Sequence, residues 1–142
     1  MEKLVRKRTA ERPVAGFNLV VVKGREGMCL QYDGGLRPAF FGPGAHVVST
    51  DHDLDDPRLP EKKAFDDFLS GLSGVPEERD LARFLASHEG DRPVCKHGDA
   101  AGTLSSTIYT RGLAGERLRY ADGPPCRTAF RDCSDLLRWG KE

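Results

Sequence analysis

No stretch of this chain stays apolar for long. The longest apolar run, residues 17–22, is interrupted by Asn18 and has the length of a strand, whereas a membrane-crossing helix needs about 20 apolar residues. Net charge is also missing: Lys plus Arg and Asp plus Glu each number 22, so the formal charge is zero. A balanced chain exerts no long-range pull on nucleic acid or on an anionic membrane. The one basic cluster, residues 6–8, sits between Glu2 and Glu11 and reads as a solvated helix face. Residues 1–10 lack the apolar centre of a signal peptide. Cysteine is sparse and irregular, with Cys29, Cys95, Cys126 and Cys133 showing neither a CxxC pair nor a dense framework. Free thiols in a reducing cytoplasm are the expectation for such a pattern.

The composition that remains is that of a folded domain. Of 142 residues, 38% are apolar and 31% charged, which separates the chain from disordered sequences. Residues 1–15 read as a basic lead-in helix or tail, and 16–142 as a single domain. The β-branched run at 16–23 predicts a strand buried on both faces. A turn at 24–27 leads to a returning strand at 28–32, and Asp33-Gly34-Gly35 turns the chain into a third at 36–41. A further strand is expected at 45–49, followed by a polar loop to Pro60. Phe65, Phe68, Leu69 and Leu72 then fall at helical spacing, and Gly71 and Gly74 end that helix. Pro76 suits the first turn of the next, where Glu77 and Glu78 match the helix dipole. Leu81, Phe84, Leu85 and His88 line its inner side. Strands are expected again at 93–96, 102–110 and 116–121, and Ser134 caps a last short helix through Trp139. Strands, two helices, then strands and a terminal helix make an α+β class with layered antiparallel sheets and flanking helices.

Few residues point to chemistry unaided. On a strand at 102–110, Thr103, Ser105, Thr107 and Tyr109 share one face and would line a polar cleft. A Thr-rich wet face is also what β propensity alone produces. Cys95 and His97 lie two residues apart, and Cys126, Cys133, His46 and His52 offer further ligand types, with zinc the first candidate. Their spacing matches no characteristic metal motif, so the expectation is no metal, no cofactor and no copurifying zinc. Ser105 or Ser106 with His97 and Asp99 supplies the residue types of a nucleophilic site, but no Gly-x-Ser-x-Gly elbow is present.

A family likeness carries more. Gly16-Phe17-Asn18-Leu19-Val20-Val21 resembles the Phe-Asn-Leu strand of the NRDE family, which contains transport and Golgi organisation protein 2. Gly44-Ala45-His46-Val47-Val48-Ser49, then Leu54-Asp55-Asp56-Pro57 and Lys62-Lys63, resembles its central segment. Gly102-Thr103-Leu104-Ser105-Ser106 is similar to its Gly-Thr-x-x-Ser strand, and Ala121-Asp122-Gly123-Pro124-Pro125-Cys126 to a closing loop. The resemblance implies the second half of such a protein, with a partial N-terminal nucleophile hydrolase-like αββα architecture. Family members begin Met-Cys and carry Asn-Arg-Asp-Glu, whereas this chain begins Met1-Glu2. A fragment, a misplaced start or one half of a split protein is the expectation. Thr50 stands where many members have Asn, and Leu104 where many have Arg.

The function so implied is non-catalytic binding or trafficking of a small hydrophobic ligand such as haem or lipid. The alternative is half of a cysteine amidohydrolase that needs a missing Met-Cys segment. Asn18, Ser49, Thr50, Thr103, Ser105, Thr107 and Tyr109 are the candidate cleft-lining residues, and no catalytic residue is assigned. Expected partners are a second copy, the missing N-terminal half or the hydrophobic ligand, with no nucleic acid and no membrane span.

Overall fold

A computed structural model of the chain describes residues 1–11, 14–49, 52–90, 93–98 and 102–138. Helices and two antiparallel three-stranded sheets make an α+β protein, as the order of elements predicts. The chain gathers into two compact units, Met1–Lys62 and Lys63–Glu142, where the sequence pattern set only a lead-in apart from one domain. No helix among the described residues is long and apolar enough to cross a membrane.

The first unit opens with helix α1 (Glu2–Glu11), which buries no residue and carries an Arg6–Glu2 pair at 2.9 Å one turn apart. Strands β1 (Phe17–Lys23), β2 (Glu26–Tyr32) and β3 (Leu36–Phe41) form a sheet in sequence order, with Val20 opposite Cys29 and Leu30 opposite Pro38. The β1–β2 turn is two residues long, and Gly24 takes a φ of 62° there, the twist a tight hairpin requires. Pro38 has no N–H to give and lies on the edge strand β3, where that costs least.

The expectation that residues 16–23 are covered on both faces is corrected here. The order β1-β2-β3 makes β1 an edge, with Val20 47% and Val22 64% exposed. The doubly covered strand is β2, where successive residues Cys29, Leu30 and Gln31 are all buried. Valine favours a pleated backbone whether or not both of its faces are covered, so the run located a strand without locating the core. Gly27 has the Phe41 ring above it, and a Cβ at residue 27 would stand only 2.1 Å from that ring.

Residues 45–49 are not a strand. The carboxylate of Asp55 takes the place of a neighbouring strand: its Oδ1 accepts the Val47 N–H at 2.7 Å, and the Asp55 N–H donates to the Val47 carbonyl at 3.0 Å. Asp55 adopts a φ of 57° to reach both. His46 donates from Nδ1 to Asp55 Oδ2 at 2.6 Å and from Nε2 to the Gly42 carbonyl at 2.9 Å, while its ring packs on Phe41 at 4.7 Å. Two acceptors facing the two ring nitrogens select the imidazolium. Buried Gln31 ties down the rest of the loop, donating to the carbonyls of Ser49 at 3.0 Å and His52 at 2.8 Å.

In the second unit, Phe65 and Phe68 on α2 (Pro60–Ser70) meet Phe84 on α3 (Glu78–Leu85), with ring centroids 5.3 and 4.7 Å apart. Glu77 caps α3 and forms a reciprocal box with Asp80, so the helix begins just after the expected Pro76 start. Strands β4 (Ser106–Gly112), β5 (Gly115–Ala121) and β6 (Arg131–Asp132) form the second sheet, in that order. Glu78 pairs with Arg119 at 3.1 Å and Arg117 at 3.5 Å, tying α3 to β5. Residues 93–96 are loop rather than strand. Ser134–Arg138 is a 3-10 turn rather than an α-helix, and Trp139 lies outside the described residues.

The His46–Asp55 pair makes the first unit sensitive to pH in a definite direction. Its hydrogen bond to Asp55 raises the His46 pKa above 6.5, outweighing partial burial. Burial pushes the Asp55 carboxyl up, but hydrogen bonds from His46 and the Val47 N–H hold it below 3.8. Stabilisation is therefore fullest between those ordinary values. It fades as pH rises through the raised His46 pKa and as pH falls through the lowered Asp55 pKa. An NMR titration is expected to place His46 above an unperturbed histidine, and Asp55→Asn to return it toward one. A wild-type His46 midpoint at or below the unperturbed value would contradict the pairing.

Candidate metal centre

The last turn of α3 sets the first part of the site. The Ala86 N–H closes on Ala82, the Ser87 N–H on Phe84, and the chain then leaves the helix. His88 was expected on the helix's inner face, but the helix stops at Leu85 and leaves His88 exposed on the coil beyond it. The Ser87 carbonyl accepts the Cys95 N–H at 3.0 Å, which brings Cys95 back beside the helix end. Cys95 is 1% exposed.

Thr103 fixes the segment between Cys95 and His97. Its N–H donates to the Lys96 carbonyl at 2.9 Å, and its Oγ1 accepts the Lys96 N–H at 3.0 Å. Gly102 permits this approach, since a Cβ there would stand 3.2 Å from the Lys96 carbonyl oxygen. Cys126 enters from a turn after β5, in which the Arg127 and Thr128 N–H groups both donate to the Pro124 carbonyl at 3.0 Å. Gly123 is required in that turn: its φ is 146°, and a Cβ would meet Thr128 Oγ1 at 2.5 Å.

These three segments bring His88, Cys95, His97 and Cys126 together, with one ligand atom from each lying within 4.8 Å of all the others. His97 Nε2 is the hub. It lies 3.2 Å from His88 Nε2, 3.7 Å from Cys95 Sγ and 3.1 Å from Cys126 Sγ. A ring nitrogen has one hydrogen or one lone pair in its plane, so hydrogen bonding satisfies only one of these three neighbours. A shared cation satisfies all of them. Zinc bonds of about 2.3 Å to sulfur and 2.0–2.1 Å to nitrogen place tetrahedral ligands about 3.3–3.8 Å apart; the Cys95 contact lies in that range, and the 3.1 and 3.2 Å contacts to Cys126 and His88 would open slightly around an ion.

The same four groups suit a cysteine nucleophile less well. Burial pushes the Cys126 thiol up, and its hydrogen bond with Cys95 pushes it further, whereas an activated thiol is held down. Burial, then the nearby Arg127 and His88 charges, lower the His97 pKa and favour neutral imidazole. Neutral imidazole is the ligand form.

Spacing alone set metal aside in the sequence, and the fold removes that ground for three of the residues named there: Cys95, His97 and Cys126. His88 was missed as a ligand because it was assigned to helix packing. Cys133 is outside the group, its N–H donating to the Leu118 carbonyl at 2.8 Å. His46 is occupied by Asp55 in the first unit. Of the expected cleft residues, Asn18 is half-buried on β1 opposite Gln31, and Ser49 receives the Gln31 amide; both belong to the first unit. Thr50 lies outside the described residues, as does Asp99. The row of four hydroxyls is not one strand face, because β4 begins only at Ser106. Thr103 and Ser105 precede it, Thr107 is exposed on it, and the Tyr109 hydroxyl donates to Glu116 at 3.0 Å.

Comparison of the chain with protein-family models, curated proteins and solved structures found no match.

Thr103→Val keeps the side chain's shape but leaves the Lys96 N–H without its acceptor. It is expected to cost about 1 kcal/mol in urea unfolding and to loosen the 95–97 segment. An unchanged unfolding midpoint would show that the Thr103 clamp is not what holds this loop.

Proposed function

We propose that the second unit is a zinc-binding module, with His88, Cys95, His97 and Cys126 as the four ligands of a structural site. The observation that carries this reading is the convergence of one imidazole and two thiols on His97 Nε2. Two sulfur and two nitrogen donors suit zinc, whereas calcium and magnesium take oxygen ligands. Four protein ligands fill a tetrahedron and leave no position for substrate, so the role is structural rather than catalytic.

The thin core of this unit gives such an ion something to do. Among the described residues, its buried apolar residues are Cys95, Ile108 and Ala121. Units with little apolar burial commonly rely on a metal or disulfides for stability. Zinc at the tetrad would join the end of α3, the 95–97 loop and the turn after β5.

Protein purified under reducing conditions is expected to contain about one zinc per chain, with Cys95→Ala and His97→Ala losing it. Chelation should lower the thermal midpoint, and added zinc should restore it. A chain that copurifies with no metal and whose unfolding is unmoved by added zinc would refute the reading.

A second reading keeps the NRDE-family resemblance. What favours it is that two of the resembling segments, residues 102–106 and 121–126, contribute to one place: Thr103 holds the Lys96 loop, and Cys126 joins the tetrad. On this reading the two sheets are portions of a hydrolase-like αββα architecture, and the protein binds or carries a small hydrophobic ligand without catalysis. Supplying the family's Met-Cys half in trans should then raise the unfolding midpoint. No change on mixing would count against it.

A further inference from the structure

We propose, resting on the zinc reading, that Cys95 and Cys126 are also a peroxide-sensitive thiol pair whose oxidation to a disulfide expels the metal. Both cysteines are free, and their sulfur atoms lie within 4.8 Å of each other. They differ in access: Cys126 is partly exposed on its turn, while Cys95 is 1% exposed. The oxidant therefore meets Cys126 first, and Cys95 is placed behind it to resolve the product. Closing the pair to a bond of about 2.05 Å requires movement of the Cys126 turn, which joins β5 to the segment leading into β6.

The reaction balances with hydrogen peroxide as the oxidant. Zinc would hold Cys126 as the thiolate that its metal-free surroundings disfavour; that thiolate attacks one peroxide oxygen, an S–O bond forms, the O–O bond breaks, and hydroxide leaves to become water on taking a proton. The Cys95 thiolate then attacks the sulfenic sulfur, an S–S bond forms, the S–O bond breaks, and a second hydroxide leaves as water. Two electrons pass from the two sulfurs to peroxide. A disulfide is a far poorer ligand than two thiolates, so zinc is left with His88 and His97 alone and dissociates. The other two cysteines are not placed for this step. Cys29 is fully buried in β2 of the first unit, and Cys133 is outside the tetrad.

The test treats the full-length zinc-loaded chain, and the chelated chain in parallel, with equimolar hydrogen peroxide. A colorimetric chelator reads zinc release, and mass spectrometry of unreduced peptides locates the disulfide. About one zinc is expected per Cys95–Cys126 disulfide formed, with both changes reversed by dithiothreitol and added zinc. Cys133→Ser should behave like the wild type, and Cys126→Ser should form no disulfide at Cys95. A zinc-loaded chain that retains its metal, or that oxidises without a Cys95–Cys126 bond, overturns the switch while leaving the zinc site standing. A chain that forms this disulfide but never holds zinc supports the thiol pair and removes the zinc reading and its coupled release.

Discussion

One imidazole nitrogen, His97 Nε2, has three ligand-type neighbours at 3.1 to 3.7 Å, and hydrogen bonding can satisfy only one of them. The arrangement of the second unit follows from that crowding. Helix α3 stops early enough to free His88, Ser87 draws Cys95 back to the helix end, and Thr103 locks the backbone between Cys95 and His97. The Gly123 turn presents Cys126 to the same point. Each device is ordinary alone. Together they place four donors from three segments at one point, in a unit with few fully buried apolar side chains to hold those segments.

The first unit organises its loop with the same residue type used differently. His46 sits between Asp55 and the Gly42 carbonyl, both acceptors, so it is held as a cation. Desolvation, then the charges of Arg127 and His88, lower the His97 pKa and favour its neutral form. A carboxylate neighbour makes the first histidine an ion-pair partner, and the same carboxylate holds Val47. Two thiols and a second imidazole suit the second to the metal-ligand role proposed for it.

Much of the fold was legible from local pattern. The strand at 36–41, the helix after Pro60 and the hairpin pairing of β1 with β2 follow from alternation, helical spacing and turn residues. The α+β class follows from the order of elements. What pattern did not convey was sheet position: a run of valines reads the same at an edge as in a centre, and only the pairing order shows that β2 is the covered strand. Residues 45–49 look like a strand because Val47 and Val48 are β-branched and apolar. Their partner is a carboxylate eight residues away, which no periodicity records.

The site was legible in its residue types and not in its assembly. Cys95 and His97 stood out by their separation, and Cys126 was named beside them, but 29 residues divide Cys126 from His97. His88 was hidden because its spacing from Phe84 and Leu85 fits a helix face that in fact ends before it. X-ray absorption at the zinc edge of the metal-loaded chain is the most direct measurement of the central claim. The account predicts a first shell of two sulfurs at about 2.3 Å and two nitrogens at about 2.0 Å, with one sulfur lost in Cys126→Ser. A shell made only of oxygen and nitrogen would contradict it.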